Sequence, residues 1–203
     1  TENARVLATV FCHIANKIES NDQFLQTFSL KKGIKEFGAK GEDAAFNEMK
    51  QLHDRAVFEP IRLSDMKTLE RKRAMESLIF LVEKRDGTVK ARTCANGSTQ
   101  REYIEREDAA SPTASTDSII ITSVIDAKQE RDVMTADVPN AFVQTEIDPS
   151  DEKVIMKIRG VLVDMLVEMS PEIYQDFVVV HGKDKILYVR MLKALYGMLV
   201  ASL

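Results

Sequence analysis

Apolar positions recur along the chain at two periods, and the changes between them divide it into elements. Val6, Leu7, Val10, Phe11, Ile14 and Ile18 return every three to four residues, which predicts an amphipathic helix over 4–18 with Asn3 as its cap. Residues 20–27 are polar and read as a linker. A second helical face follows over 42–55, where Ala45, Phe46, Met49, Leu52 and His53 align and Glu42 and Asp43 put negative charge at the helix start. Pro60 closes an extended segment, and 65–75 is charged with helical propensity. The period then drops to two: 78–82 and 88–94 are β-rich and flank Asp86-Gly87, a strong hairpin signal.

Farther on the pattern is less uniform. Residues 107–117 are rich in Ala, Ser, Thr and Asp and predict a loop. The run 118–125 fits either a strand, from its β-branched content, or a buried helix, from Ile120, Ile121, Val124 and Ile125. Val133-Met134-Thr135-Ala136 reads as a strand that delivers Asp137 to a sheet edge, because Pro139 has no N–H to donate and ends the pairing. A strand over 154–158, a helix over 161–169, a helical turn over 171–176 and a hairpin of 177–180 with 186–189 complete the chain. Helices and strands mix without a βαβ rhythm or internal repeat, so the expected class is α+β.

Composition narrows the setting. At 203 residues, 44% apolar and 30% charged, the chain can bury a core and is not of disordered type. Its longest apolar runs fall well short of the ~20 residues of a membrane helix and no secretory signal pattern is present, so the reading is intracellular, with no membrane partner. Cys12 and Cys94 lack metal or redox spacing and read as half-buried small residues. His13 has no second ligand at i+4 and reads as a boundary residue. The net charge of −4 weighs against nucleic-acid binding, yet 64–106 holds ten basic and seven acidic residues, which allows a local basic face; on charge alone a solvated mixed surface is preferred. The chain opens on Thr1 and closes on an apolar run at 198–203 without a helix stop, so a piece of a longer protein is expected.

The chemistry centres on Asp137. A carboxylate at the end of a strand suits Mg²⁺, which takes one or two protein oxygens and completes its shell with water and phosphates. A lone Asp-Val-Pro is more commonly a surface turn. It gains meaning from order: Lys90-Ala91-Arg92, then Asp137-Val138-Pro139-Asn140-Ala141-Phe142, then Lys193-Ala194-Leu195-Tyr196-Gly197. Together these resemble the reverse transcriptase of copia-type retrotransposons, and the resemblance extends through 28–33, 48–52, 107–113 and 187–189, covering about residues 28–203.

The resemblance implies a right-hand polymerase with an antiparallel sheet and packing helices. An upstream helix and linker (1–27) would precede fingers at about 28–117 and part of a palm at about 118–203. It implies an RNA-directed DNA polymerase that adds dNTPs to a primer 3′ end with two Mg²⁺ (or Mn²⁺) ions. Asp137 matches the first metal-binding aspartate, and Val138 would lend its carbonyl to the metal and its side chain to the palm. Arg92 matches the arginine laid across the triphosphate, with one of Lys84, Arg85 and Lys90 as a second contact. Phe142 would pack under the sugar and exclude a 2′-hydroxyl, or else serve as core. Tyr196 and Gly197 match the segment beside the nascent base pair, Gly197 admitting a close backbone. The helix reading of 118–127 is favoured, packed behind the palm sheet. Arg73 and Lys72 would face template.

Implied partners are an RNA or DNA template-primer, dNTPs, and downstream palm, thumb and ribonuclease H regions; the implied location is a cytoplasmic particle and the nucleus. The chain departs from the family in lacking any adjacent Asp-Asp pair, in Thr93-Cys94-Ala95-Asn96-Gly97 after Arg92, and at Asn140 and 143–145. The fragment alone is therefore expected to be inactive. The alternative is a decayed or co-opted remnant that binds nucleic acid or protein without catalysis.

Overall fold

Side-chain alternation along two paired strands organises the molecule. In β3 (Met75–Glu83) and β4 (Val89–Ala95), Met75, Ile79, Leu81, Ala91, Thr93 and Ala95 are buried while Leu78, Lys90 and Arg92 are exposed, as the period of two requires. The strands pair antiparallel from Ser77↔Ala95 to Glu83↔Val89. Between them Gly87 adopts φ +77°, and the Asp86 carboxylate accepts the Thr88 N–H and hydroxyl at 2.9 and 2.6 Å. Those bonds hold the Asp86 carboxyl below its ordinary pKa, and the expected Asp-Gly turn is in place.

The computed structural model describes residues 26–105, 114–138, 140–150 and 152–199. The expected helix at 4–18 with His13 and Cys12, most of the 20–27 linker, the 107–113 stretch and Pro139 lie outside the described residues. Among those described, seven strands form one sheet. With β1 (Thr27–Ser29), β2 (Phe58–Pro60), β5 (Ile155–Arg159), β6 (Val178–His181) and β7 (Asp184–Met191), the order is β1-β3-β5-β7-β2, with β4 on β3 and β6 on β7. Every pairing is antiparallel except β3 with β5, where Met75↔Met156 and Glu76↔Lys157 run parallel. The expectation of a purely antiparallel sheet is thus corrected to a mixed one; the chain between β3 and β5 is long enough for the crossover that a parallel pair needs.

Helices α1 (Leu30–Phe37) and α2 (Ala39–Asp54) follow β1, α3 (Thr68–Arg73) precedes β3, and α5 (Val161–Met169) and α6 (Pro171–Tyr174) follow β5. α2 and α5 supply the core: Ala45, Met49 and Leu52 meet Leu162, Val163 and Leu166 over Leu81, Met156, Ile158 and Leu187. Truncating any of these leucines costs about 2–5 kcal/mol. Elsewhere on the sheet, Glu76 takes two bonds from Arg159 at 2.8 and 3.0 Å and one from Lys157 at 3.4 Å. The Arg159 bonds hold the Glu76 carboxyl below the usual glutamate range. With the side chains half exposed, the cluster contributes at most about 1 kcal/mol.

The run 118–125 is helical, within α4 (Thr116–Lys128), capped where the Ser115 hydroxyl accepts the Ser118 N–H at 3.1 Å. Its packing differs from expectation. Ile119, Ile121 and Val124 are 57–62% exposed, so among the described residues the helix is not packed behind the sheet. Nor does 133–136 form a strand: residues 131–138 make no strand pairing among the described residues, and Met134 and Val138 are 88% and 58% exposed. The Val138 side chain therefore does not enter a core. Strand propensity yields a strand only where an edge is offered, and here no described edge is.

Tyr174, on α6, ties that helix to α2. Its hydroxyl lies 2.7 Å from His53 Nδ1, whose Nε2 lies 3.4 Å from the Ser170 hydroxyl, and burial pushes the Tyr174 phenol up to about 12. An unfolded tyrosine ionises near pH 10; the folded one keeps its proton longer, so its contribution to stability is intact below pH 10 and declines as pH rises from there towards 12. Urea unfolding across pH 8–11 is expected to show Tyr174→Phe about 1 kcal/mol less stable at pH 8, from the lost hydrogen bond, with a shallower alkaline decline than the parent.

Candidate functional site

Arg92, Phe142 and Tyr196 come from three distant stretches and meet. Strand alternation turns Arg92 outward from β4, because its neighbours Ala91 and Thr93 face the core. Phe142 sits on a 3₁₀ turn, Phe142–Gln144, reached through Asn140 at φ +54° and anchored by buried Val143. From there the chain runs beside the segment leaving β7: Ala194 N–H donates to Thr145 O at 2.9 Å and Ile147 N–H to Leu192 O at 2.9 Å. The result is an edge-to-face pair, Phe142 on Tyr196, with ring centroids 4.6 Å apart and planes at 71°. The Arg92 guanidinium lies 5.4 Å from the centre of the same Tyr196 ring, within range of a cation–π attraction.

The backbone of the Tyr196 segment is fastened to the end of β4. Ala95 N–H donates to Tyr196 O at 2.7 Å, and Leu199 N–H donates to the buried side-chain oxygen of Gln100 at 2.8 Å. Gly197 passes over the Ala95 carbonyl at φ +86°, and Gly97 passes under the Gly197 carbonyl. A Cβ on either glycine would enter the facing oxygen. The expected close approach at Gly197 is therefore present, and its partner is the strand that carries Arg92.

Beside Tyr196 lies a shallow pocket lined by Glu48, Arg55, Thr93, Asn140, Val143 and Leu195 among others. Glu48 accepts the Thr93 N–H at 2.8 Å, while the buried Thr93 hydroxyl has no hydrogen-bond partner among the described residues. Sequence reasoning missed Gly97, Gln100 and Thr93. For Gly97 a signal existed, since Asn-Gly directly after a strand marks a turn; for Gln100 and Thr93 none did.

The remaining expected residues are not drawn into this cluster. Lys84 and Arg85 occupy the exposed hairpin tip, and Lys90 is exposed on the same strand face as Arg92, two residues away. Asp137 and Val138 lie exposed on the unpaired 131–138 segment. Among the described residues no three His, Cys, Asp or Glu side chains converge to hold a metal ion, so Asp137 with Val138 does not make a metal centre from what is described. Arg73 is engaged structurally, 2.8 Å from Glu152 and over the Tyr103 ring at 4.1 Å. Cys94 is half-buried, as expected, and burial pushes its thiol above the ordinary value. Among the described residues no helix is long and apolar enough to cross a membrane.

No family model, curated protein or solved structure matches the chain.

The fastening makes a measurable claim. Gly197→Ala forces a side chain into positive φ, which costs about 1–2 kcal/mol for a non-glycine residue, and adds the clash with the Ala95 carbonyl. Gly182→Ala, also at positive φ but with open space around it, bears only the first cost. Urea unfolding is expected to rank Gly197→Ala clearly below Gly182→Ala; equal losses would remove the close approach as a constraint.

Proposed function

We propose that the chain is the fingers and part of the palm of a copia-type RNA-directed DNA polymerase, and that Arg92, Tyr196 and Phe142 receive the incoming deoxynucleoside triphosphate. One observation carries the reading: three residues that the ordered motifs single out, spread from position 92 to 196, converge on one ring. Two of the residues are aromatic and one carries a guanidinium, a set suited to a ligand with a flat base, a sugar and a phosphate chain.

The roles follow from chemistry. Arg92 presents a planar fork of donors that matches phosphate oxygens. Lys90 on the same face, or Lys84 or Arg85 at the tip, is proposed to add a second positive charge. The Tyr196 ring offers a flat wall on which the nucleoside is positioned, and positioning is most of what the protein supplies in phosphoryl transfer. Phe142, half-buried against Tyr196, is proposed to fill the space that a 2′-hydroxyl would need. Asp137 and the Val138 carbonyl remain proposed ligands of Mg²⁺ or Mn²⁺. Among the described residues no three His, Cys, Asp or Glu side chains converge around Asp137. RNA or DNA template-primer is the proposed macromolecular partner, and a cytoplasmic particle and the nucleus the proposed location.

The exposed place of Asp137 on a segment with no strand pairing among the described residues favours one other reading, a fold that binds nucleotide or nucleic acid without catalysing. Two measurements separate the readings. Calorimetric titration of dTTP into the 203-residue chain is expected to detect binding that Arg92→Ala weakens about tenfold or more, the loss of one charged hydrogen-bonded contact; unaltered binding would sink the Arg92 assignment. Primer extension on a homopolymer template is expected to show no incorporation by this chain alone. When the chain is joined to the downstream region of its own coding sequence, Asp137→Asn is expected to abolish extension if the protein is a polymerase, whereas extension absent from the joined parent as well would favour the non-catalytic reading.

Sugar selection tests Phe142 in the same joined protein. Phe142→Val is expected to raise the rNTP/dNTP ratio of kcat/KM. A phenylalanine that serves only packing predicts instead an unchanged ratio with a stability loss approaching the ~3–5 kcal/mol of a truncated core aromatic.

A further inference from the structure

We infer that Gln100 is a positioning residue: through the Leu199 amide and the Gly97–Gly197 crossing it holds the Tyr196 ring in place against Arg92. The inference rests on the nucleotide reading above for its consequence, but its structural content stands apart.

Tyr196 has no regular secondary structure to hold it. It follows the end of β7 on a turn, and a side chain on a free turn samples many positions. Three features remove that freedom. The Tyr196 carbonyl accepts the Ala95 N–H at 2.7 Å, which adds the turn to the end of β4. Gly97 and Gly197 cross so closely that neither tolerates a Cβ, so the crossing has one depth. Beyond the crossing, Gln100, itself fully buried on the 3₁₀ turn Gly97–Glu102, accepts the Leu199 N–H at 2.8 Å. The first bond lies before the crossing and the last after it. Together they stop the turn from sliding or lifting, and the first is three residues from Arg92 on the same strand.

The consequence is specific. Arg92 is fixed by the β3–β4 ladder whatever Gln100 does, because Phe80↔Arg92 lies inside the paired register. Tyr196 depends on the fastening. Loss of the Gln100 acceptor therefore releases the ring while leaving the guanidinium where it was, so a ligand that uses both groups suffers and a ligand that uses the guanidinium alone does not. Replacing Gln100 by methionine keeps the volume and removes the acceptor, the kind of exchange a core tolerates.

The test uses the 203-residue chain and its Gln100→Met and Gly97→Ala variants. In ¹⁵N-labelled protein, amide exchange at Leu199 and Ala95 is expected to accelerate by about tenfold or more in Gln100→Met, as the loss of one hydrogen bond allows, and the nuclear Overhauser contact between the Tyr196 and Phe142 rings is expected to weaken. Amides of β3 and β4 away from Ala95 are expected to exchange as in the parent. Ligand titration is expected to show dTTP affinity falling about tenfold in Gln100→Met while inorganic triphosphate binds within about twofold of the parent. Unchanged exchange and an intact ring contact in folded Gln100→Met would overturn the inference, as would equal losses for both ligands, the mark of general destabilisation. If the parent binds neither ligand, the nucleotide reading fails while exchange and ring contact still decide the role of Gln100. Should Gln100→Met not fold, Gly97→Ala perturbs the same crossing from the other side and is read by the same two measurements.

Discussion

The β3–β4 register is the constraint on which the rest depends. Leu81, Ala91, Ile79 and Thr93 face inward as directly opposed pairs, and Phe80, Arg92, Val82 and Lys90 face outward in the same way. A slip of one residue would bring a guanidinium and an ammonium into contact with α2 and expel the alanines that let α2 lie close. Desolvating an unpaired charge costs several kcal/mol, far beyond what any single turn bond returns. The buried face therefore fixes the exposed one. It also fixes where β4 ends, and so where the Ala95 N–H waits for the Tyr196 carbonyl.

From that end the site is assembled by backbone contacts more than by side chains. The turn carrying Phe142 runs beside 192–194, and the turn carrying Tyr196 is sewn to 95–100. Aromatic packing of Phe142 on Tyr196 is worth about 0.5–1.5 kcal/mol beyond the area it buries, which orients rings but does not place them. Placement comes from the two glycines, whose missing side chains let three chain segments share one small volume. Such density suits a site that must hold a flat ring at a fixed height above a guanidinium.

Much of this was legible in the sequence because it is local. Asp86-Gly87 between two alternating runs gives a hairpin whatever surrounds it, and the 3.6-residue stripe of α2 gives a helix with its buried face known. The run from Val161 to Met169 fits a helix by the same logic. What was not legible is tertiary. The β3–β5 parallel pair joins residues about eighty positions apart, and nothing in Met75 or Met156 records it. Asn96-Gly97 marks a turn but not the crossing, and Gln100 shows nothing, because both roles depend on the distant carbonyl and amide of 197–199. The convergence of Arg92, Phe142 and Tyr196 was reachable only through the order of the motifs, since no spacing rule connects positions 92, 142 and 196.

The segment from α4 to Asp137 shows the limit from the other side. Its pattern is strong, with five branched apolar residues in α4 and Val133, Met134 and Val138 beyond it, and none of them is buried among the described residues. An exposed apolar patch of this kind ordinarily marks a surface that another element covers. The strand expected at 133–136 likewise has no partner edge among the described residues, and a strand needs an edge as a helix needs a floor. Under the proposed reading Asp137 would need a paired strand at 133–136 to present it, and among the described residues that segment has no strand partner, so the proposed metal role and the pairing of this segment stand or fall together.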